Sequence, residues 1–422
     1  MLTYVKLSNS KHHKPFPRAL VEIRSEKMNI LLTGAISLSN KGTASIVIST
    51  IVMLKKRFPN SDITLELFFP SRQKNIIDME KEYRVEVIAP LTQLNFKGLK
   101  KYKNADVIID ISAEAFVKYY DDDWLQMTTR FFLHLLPLLL GAVLNKPIVL
   151  LAQTLGPFGP FRPIMGYLIG KATLVTVRDS ISLKNLEREG IDVSRIFLTA
   201  DPAFLIDVAP RSRIKEILEH EGIDKVGKKK IIGLCAARTT GRVLSSGEYK
   251  KIVNVFANAI DSLIGKYDAA VVFIPHSSGK IRKENDDIIV GMDILREVKR
   301  KEGFLVIKKD YSPQELKGII GTLDCLISFR MHPVIFASSL LVPSIIVAFN
   351  PKAYGLMRML GLEKNVIHVD EIQEDLLVAS IERCLQESQY MKKNLKSVIP
   401  HLQERALMNV KMLEQILTYE KA

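Results

Sequence analysis

Cysteine is scarce: the 422 residues contain three, Cys235, Cys325 and Cys384, with no C-x-x-C pair. That usage excludes a disulfide scaffold and a zinc knuckle and fits a reducing compartment. The first 27 residues, with the adjacent His12 and His13, lack the apolar centre of a signal peptide and read as a polar N-terminal extension (1–27), so a cytoplasmic protein is expected. Nor does any uninterrupted apolar run reach the ~20 residues of a membrane span. The nearest is "FFLHLLPLLLGAVLNKPIVLL" (131–151), where Pro137, Gly141 and Asn145-Lys146-Pro147 divide a buried helix from a buried strand. The phosphate-binding fingerprints are missing as well: the first loop, "TGAISLSNKGTAS" (33–45), is neither GxGxxG nor the GK[ST] of a P-loop. Zinc-finger spacing and basic stretches interleaved with aromatics are absent, which argues against a nucleic-acid partner. No ligand cluster for a metal is evident.

Acid is in deficit. Against 60 Lys and Arg stand 46 Asp and Glu, a formal net charge of +14 with pI near 9.4. Much of the excess solvates the surface, but the balance favours anionic partners such as phosphorylated metabolites, an acidic polymer or the face of a membrane. The composition, 47% hydrophobic and 25% charged, is globular. At this length two cores are expected rather than one.

Short aliphatic runs without polar alternation recur at 28–37, 62–69, 85–90, 105–112, 147–153 and 173–179. They suit strands buried on both faces, hence a parallel sheet flanked by helices. A polar helix and basic linker at 207–229 interrupt them. They resume at 229–237, 269–276, 304–310, 323–330, 343–349 and 365–370, and long helices close the chain. The reading is α/β: two Rossmann-like domains, 28–210 and 228–395, facing across a cleft, with a C-terminal helix at 396–422. Ligands of such sheets bind beyond the carboxyl ends of the strands, so strand-end residues carry the functional argument.

In the first loop Gly34 and Gly42 frame the entry to a helix near Thr43, whose free N–H groups could hold an anion; capping by Asn40 or Thr43 is the equal alternative. Gln153, at the end of its strand before "TLGPFGPF", offers a carboxamide to a sugar or pyruvyl group, or simply builds a turn. Arg178 is expected to pair with Asp201 and Asp179 to cap the helix that follows it. In the second half Arg238 and Arg242 follow a strand where a planar fork suits phosphate or carboxylate, and His276 ends the next run. "SFRMHPV" then sets Arg330 and His332 at a strand-to-helix turn, facing one side if the turn stays extended, with Pro333 as the first helical residue. They either cap structure or hold an anion, and Lys352 joins the same rim.

Together "LLAQTLGPF", "VRDSIS", "DPAF", "IPH" and above all "SFRMHPVIFASSLLVPSIIVAFNPK" resemble the polysaccharide pyruvyl transferase family over roughly 28–370. The resemblance implies a two-domain arrangement similar to the glycosyltransferase B fold. It also implies transfer of enolpyruvate from phosphoenolpyruvate to a saccharide or lipid-linked saccharide, forming a pyruvate ketal and releasing phosphate with no cofactor. On it, Arg330 and His332 match the donor-binding R-x-H and Arg238 a further donor-binding Arg; a His near neutrality such as His332 can serve as the acid that protonates C3, while another group takes the hydroxyl proton. The N-terminal half would take the acceptor; there this chain has Gly42-Thr43 where relatives often have Gly-Asp, and "ISAEAF" (111–116) in place of a glycine cluster. Peripheral contact with a membrane follows from the charge. A nucleotide-sugar glycosyltransferase of the same shape and a non-catalytic binding protein are the competing readings.

Overall fold

The structure, a computed structural model, describes residues 27–68, 76–91, 96–118, 124–224, 229–238, 244–279 and 286–418. The extension before residue 27 and Arg242 lie outside the described residues, as does 225–228 of the linker.

The first half runs β1 (Asn29–Ala35), α1 (Lys41–Arg57), β2 (Asp62–Leu67), α2 (Ile76–Tyr83), β3 (Val85–Ile88), α3 (Phe96–Asn104), β4 (Val107–Asp110), α4 (Trp124–Val143), β5 (Ile148–Gln153), α5 (Arg162–Lys171), β6 (Leu174–Val177), α6 (Ser180–Arg188) and β7 (Ile196–Leu198). After α7 (Arg211–Glu221) come β8 (Ile231–Cys235), α8 (Ser246–Tyr267), β9 (Ala270–Phe273), α9 (Asp287–Glu297), β10 (Phe304–Val306), α10 (Pro313–Ile320), β11 (Cys325–Ser328), α11 (Met331–Ser339), β12 (Ser344–Ala348), α12 (Pro351–Met359), β13 (Val366–His368), α13 (Glu374–Gln386) and α14 (Ser388–Thr418). The strands form two parallel sheets, ordered β3-β2-β1-β4-β5-β6-β7 and β10-β9-β8-β11-β12-β13.

Each expected run contains a strand, because a parallel sheet covered on both faces takes apolar residues at every position; β4, β5, β6, β9, β11 and β12 are buried throughout. The short edge strand β7 was not expected from the sequence. Two helix boundaries also differ. α4 continues through Pro137 and Gly141: an internal proline costs about 3 kcal/mol, but Met127, Phe131, Leu135 and Leu138 bury one side of α4 in a cluster with β5 and α5, and that packing outweighs it. α4 is also not buried all round, since Leu125, Phe132 and Val143 face outward. At the strand-to-helix turn, α11 begins at Met331, so Pro333 is its third residue and the backbone is extended only as far as Arg330.

The last helix returns to the first sheet. Buried Asn409 accepts from the hydroxyls of Thr176 (2.6 Å) and Thr199 (2.8 Å) and donates to the carbonyl of Ala200 (3.1 Å). Arg405 donates to the carbonyl of Thr199 at 2.6 Å. The three cysteines are buried thiols, and Cys325 and Cys384 touch at 2.9 Å between sulfurs. Among the described residues no helix is long and apolar enough to cross a membrane.

Candidate functional site

The carboxyl ends of the two sheets meet. Asn40 bridges Ser277, the Lys41 amide donates to the His276 carbonyl (3.0 Å), and the Ser278 amide donates to the Ser39 carbonyl (3.2 Å). The Lys41 ammonium pairs with Asp310 at 2.5 Å. Lys352, in the first turn of α12, pairs with Glu114, which follows β4.

His332 lies at the centre of this junction. It is the second residue of α11, and its ring packs so closely on Gly42 that a Cβ there would come 2.3 Å from Nδ1. Its Nε2 is 3.7 Å from Asp201, beyond hydrogen-bond reach, and is enclosed without a partner. Burial holds its pKa below the ordinary value; Asp201 and Glu114 pull it up, and Arg178 and Arg330 push it down. Beside it lies His276, its ring nearly parallel to that of His332 with centroids 6.5 Å apart. His276 is only 1% exposed, and neither ring nitrogen has a partner. Burial, reinforced by His332, Arg330 and Lys41, keeps it neutral.

Behind Asp201 stands the expected ion pair: Arg178 Nη1 donates to Asp201 at 2.5 Å and its Nε to Thr154 at 2.9 Å. The Arg178 guanidinium also comes within 3.9 Å of Glu114. Asp179 caps α6 through the Ser182 amide, as its position predicts. Glu114 is thus shared by two cations. Desolvation would raise its pKa, but Lys352 and Arg178 hold it below the ordinary carboxylate range.

Several expectations need correcting in detail. Arg330 does not present its fork to the cleft: Nε and Nη2 grip Asp287 at 3.0 and 2.7 Å. Asp287 also accepts from the amides of His276 and Ser277, at 3.0 and 2.9 Å. Arg330 and His332 therefore diverge, the first into its own domain and the second toward the other. Asn40 caps α1, accepting from Gly42 (2.9 Å) and Thr43 (3.4 Å), so the anion position at that helix end is filled by its own side chain. Gln153 is fully buried with both ends engaged: it donates to Asp110 at 2.8 Å and accepts from Ser112 at 3.1 Å. It fixes the floor of the N-terminal side rather than reaching a ligand. Gly34 belongs to that floor too; at φ +91° it lets the Asp110–Ser112 loop approach where a Cβ would meet the Ser112 amide at 2.7 Å. Arg238 stacks on Tyr249, 5.1 Å from the ring centre, with its Nε buried and unpartnered. The open cationic rim expected from the sequence is instead a set of cross-paired charges.

Two parallel α/β sheets joined at their carboxyl ends, with a helix strapping back, define a glycosyltransferase-B-like architecture. Its structural likenesses agree. A UDP-GlcNAc 2-epimerase from Neisseria meningitidis is 12% identical, with 92% of this chain and 100% of that one covered at a TM-score of 0.59. HepE (Alr3699) from Anabaena, solved with UDP and glucose, is 15% identical, with 92% and 99% covered at 0.57. Within that architecture the family is defined by sequence: the polysaccharide pyruvyl transferase model matches residues 40–351. The chain belongs to that family and is a transferase. It is similar to the amylovoran biosynthesis protein AmsJ of Erwinia amylovora, 23% identical over 424 residues, covering 90% of this chain and 97% of that protein.

Proposed function

We propose that the protein moves the enolpyruvyl group of phosphoenolpyruvate onto a sugar of a polysaccharide precursor, forming a pyruvate ketal and releasing phosphate. One sugar hydroxyl adds at C2 of the donor while C3 takes a proton; a second hydroxyl then displaces phosphate at C2. Two hydroxyl protons are lost, one proton is gained at C3 and one leaves with phosphate. The observation that carries this reading is His332: an imidazole with an unpartnered Nε2 in a junction lined by Lys41, Arg178 and Lys352.

Before the donor binds, His332 is neutral near pH 7, because burial lowers its pKa. A phosphate and a carboxylate beside it would raise that pKa, so donor binding itself would charge the acid that delivers a proton to C3. Lys352 and Arg178 would hold the donor's anionic groups by exchanging Glu114 for them. Glu114 is the exchangeable partner because its side chain is half-exposed, whereas Asp287 is buried under four donors. Once displaced, Glu114 would be placed to take the acceptor hydroxyl's proton.

The test is acceptor-dependent phosphate release from phosphoenolpyruvate, with UDP-sugars run alongside. The expected result is turnover of phosphoenolpyruvate only, and a kcat reduced about 10²–10⁴-fold in His332→Ala. Consumption of a UDP-sugar without phosphoenolpyruvate turnover would overturn the reading, as would full kcat in His332→Ala.

A further inference from the structure

α3, α4, α5 and α6 cover one face of the first sheet. Right-handed crossovers put them there, and contacts join them: Leu140 and Leu144 of the α4 end pack around Tyr102 of α3, and Phe131 of α4 stacks on Phe161 at the start of α5 at 4.5 Å. The outer side of this layer is unusually apolar. On α4, Trp124, Leu125, Phe132 and Val143 are 63%, 70%, 58% and 76% exposed, and Leu99 of α3 and Tyr167 of α5 add 46% and 54%. Leu125, Phe132, Leu136 and Val143 recur at helical spacing along one line of α4.

α6 carries Glu187, but α3, α4 and α5 contain no Asp or Glu. They carry Lys97, Lys100, Lys101, Lys103, Arg130, Arg162 and Lys171. Lys97 and Lys101 pair with Glu86, and Lys100 lines the same groove beside α3; Lys100, Lys103 and Lys171 are exposed. Asp121, Asp122 and Asp123, which precede α4 in the sequence, lie outside the described residues.

We infer that this face docks on a bilayer bearing anionic headgroups. A protein partner is the poorer match, because protein interfaces are depleted of lysine, whereas a lipid surface takes aromatic and aliphatic side chains into the acyl boundary and lysines at the headgroups. The net charge of +14 acts in the same direction. The inference stands on this surface alone and does not depend on the reaction.

The experiment is co-sedimentation of the full chain with vesicles of phosphatidylglycerol and phosphatidylcholine, and with phosphatidylcholine alone, at low and high salt. Binding to the mixed vesicles that weakens with salt is expected. Phe132→Asp and the pair Lys100→Glu, Lys103→Glu should each weaken it at least about tenfold, with melting temperature unchanged. No binding to the mixed vesicles at low salt overturns the inference. So does binding that neither variant weakens. A Phe132→Asp effect confined to light scattering, turning a dimer into a monomer with vesicle binding intact, also overturns it by assigning the face to a second copy.

Discussion

Replacing Arg330 by lysine separates the two roles the strand-to-helix turn could give it. The native guanidinium makes two charge-assisted bonds to one carboxylate, 3.0 and 2.7 Å, and that carboxylate is 2% exposed. Burial already pushes the Asp287 carboxyl up, and Arg330 is the leading charge that opposes it. Lysine keeps the charge but reaches one oxygen, so about one charge-assisted bond is lost, worth about 1.5–3 kcal/mol. For a domain of 150–250 residues that corresponds to roughly 3–12 °C in melting temperature. Arg330→Lys should therefore melt earlier, and Asp287→Asn should show strong coupling with it in a double-mutant cycle, because the two side chains are one unit. Scanning calorimetry reads the first and denaturant titration the second. An unchanged melting temperature together with a raised KM for phosphoenolpyruvate would refute the reasoning: Arg330 would then be holding donor directly rather than fixing the His276 loop through Asp287.

Gly42→Ala places a methyl group where the His332 ring now lies, so the imidazole must swing away. A misplacement of this order costs roughly 10²-fold in kcat with little change in melting temperature; wild-type kinetics would show that the packing on Gly42 does not set the ring. His134 of α4 is 1% exposed, packed near Phe68 and Phe116, with both ring nitrogens unpartnered. Burial, with Arg130 adding to it, lowers its pKa to about 4. The sign follows: as pH falls below ~6.5 the unfolded chain takes up a proton that the folded one refuses, so stability is lost, by about 2 kcal/mol at pH 5. In His134→Leu that part of the slope disappears, and the variant should be at least as stable as the parent at pH 7.5; denaturant titrations giving parallel pH profiles for the two proteins would refute this.

The strand ends were legible because the physics that buries a parallel strand on both faces also writes it as a bare apolar run. β7 was not, having only three residues at a sheet edge. Arg178, Asp179 and Asp201 could be assigned from complementary charges at neighbouring strand ends and from capping position. Asp287 could not: it lies 43 residues before the arginine it holds, at the start of a helix where acids are ordinary. Glu114 was visible only as a residue in a loop that departs from its relatives. The approach of Gly42 to His332 depends on how the two halves meet, which no local pattern records. α4 read as buried because it is apolar almost throughout, yet the sheet bears only one layer of helices on that face, so half of it looks out.

The pairing of charges across the junction bears on which donor the site can select. Lys352 and Arg178 already share a carboxylate in Glu114, so an incoming ligand with one negative charge would replace like with like and gain little. A ligand carrying both a phosphate and a carboxylate brings more charge than Glu114 removes, and it can engage both cations while leaving charge to act on His332. On the proposed exchange, the cross-pairing would therefore penalise simple monoanions and favour a multiply charged donor. Lys41 is held to Asp310 at 2.5 Å rather than to Glu114, so it stands outside such an exchange and acts instead to keep the two sheets in register. The proposed exchange would also account for the pairing itself: the buried Lys352 ammonium keeps a carboxylate partner in Glu114 until an anionic donor takes that place.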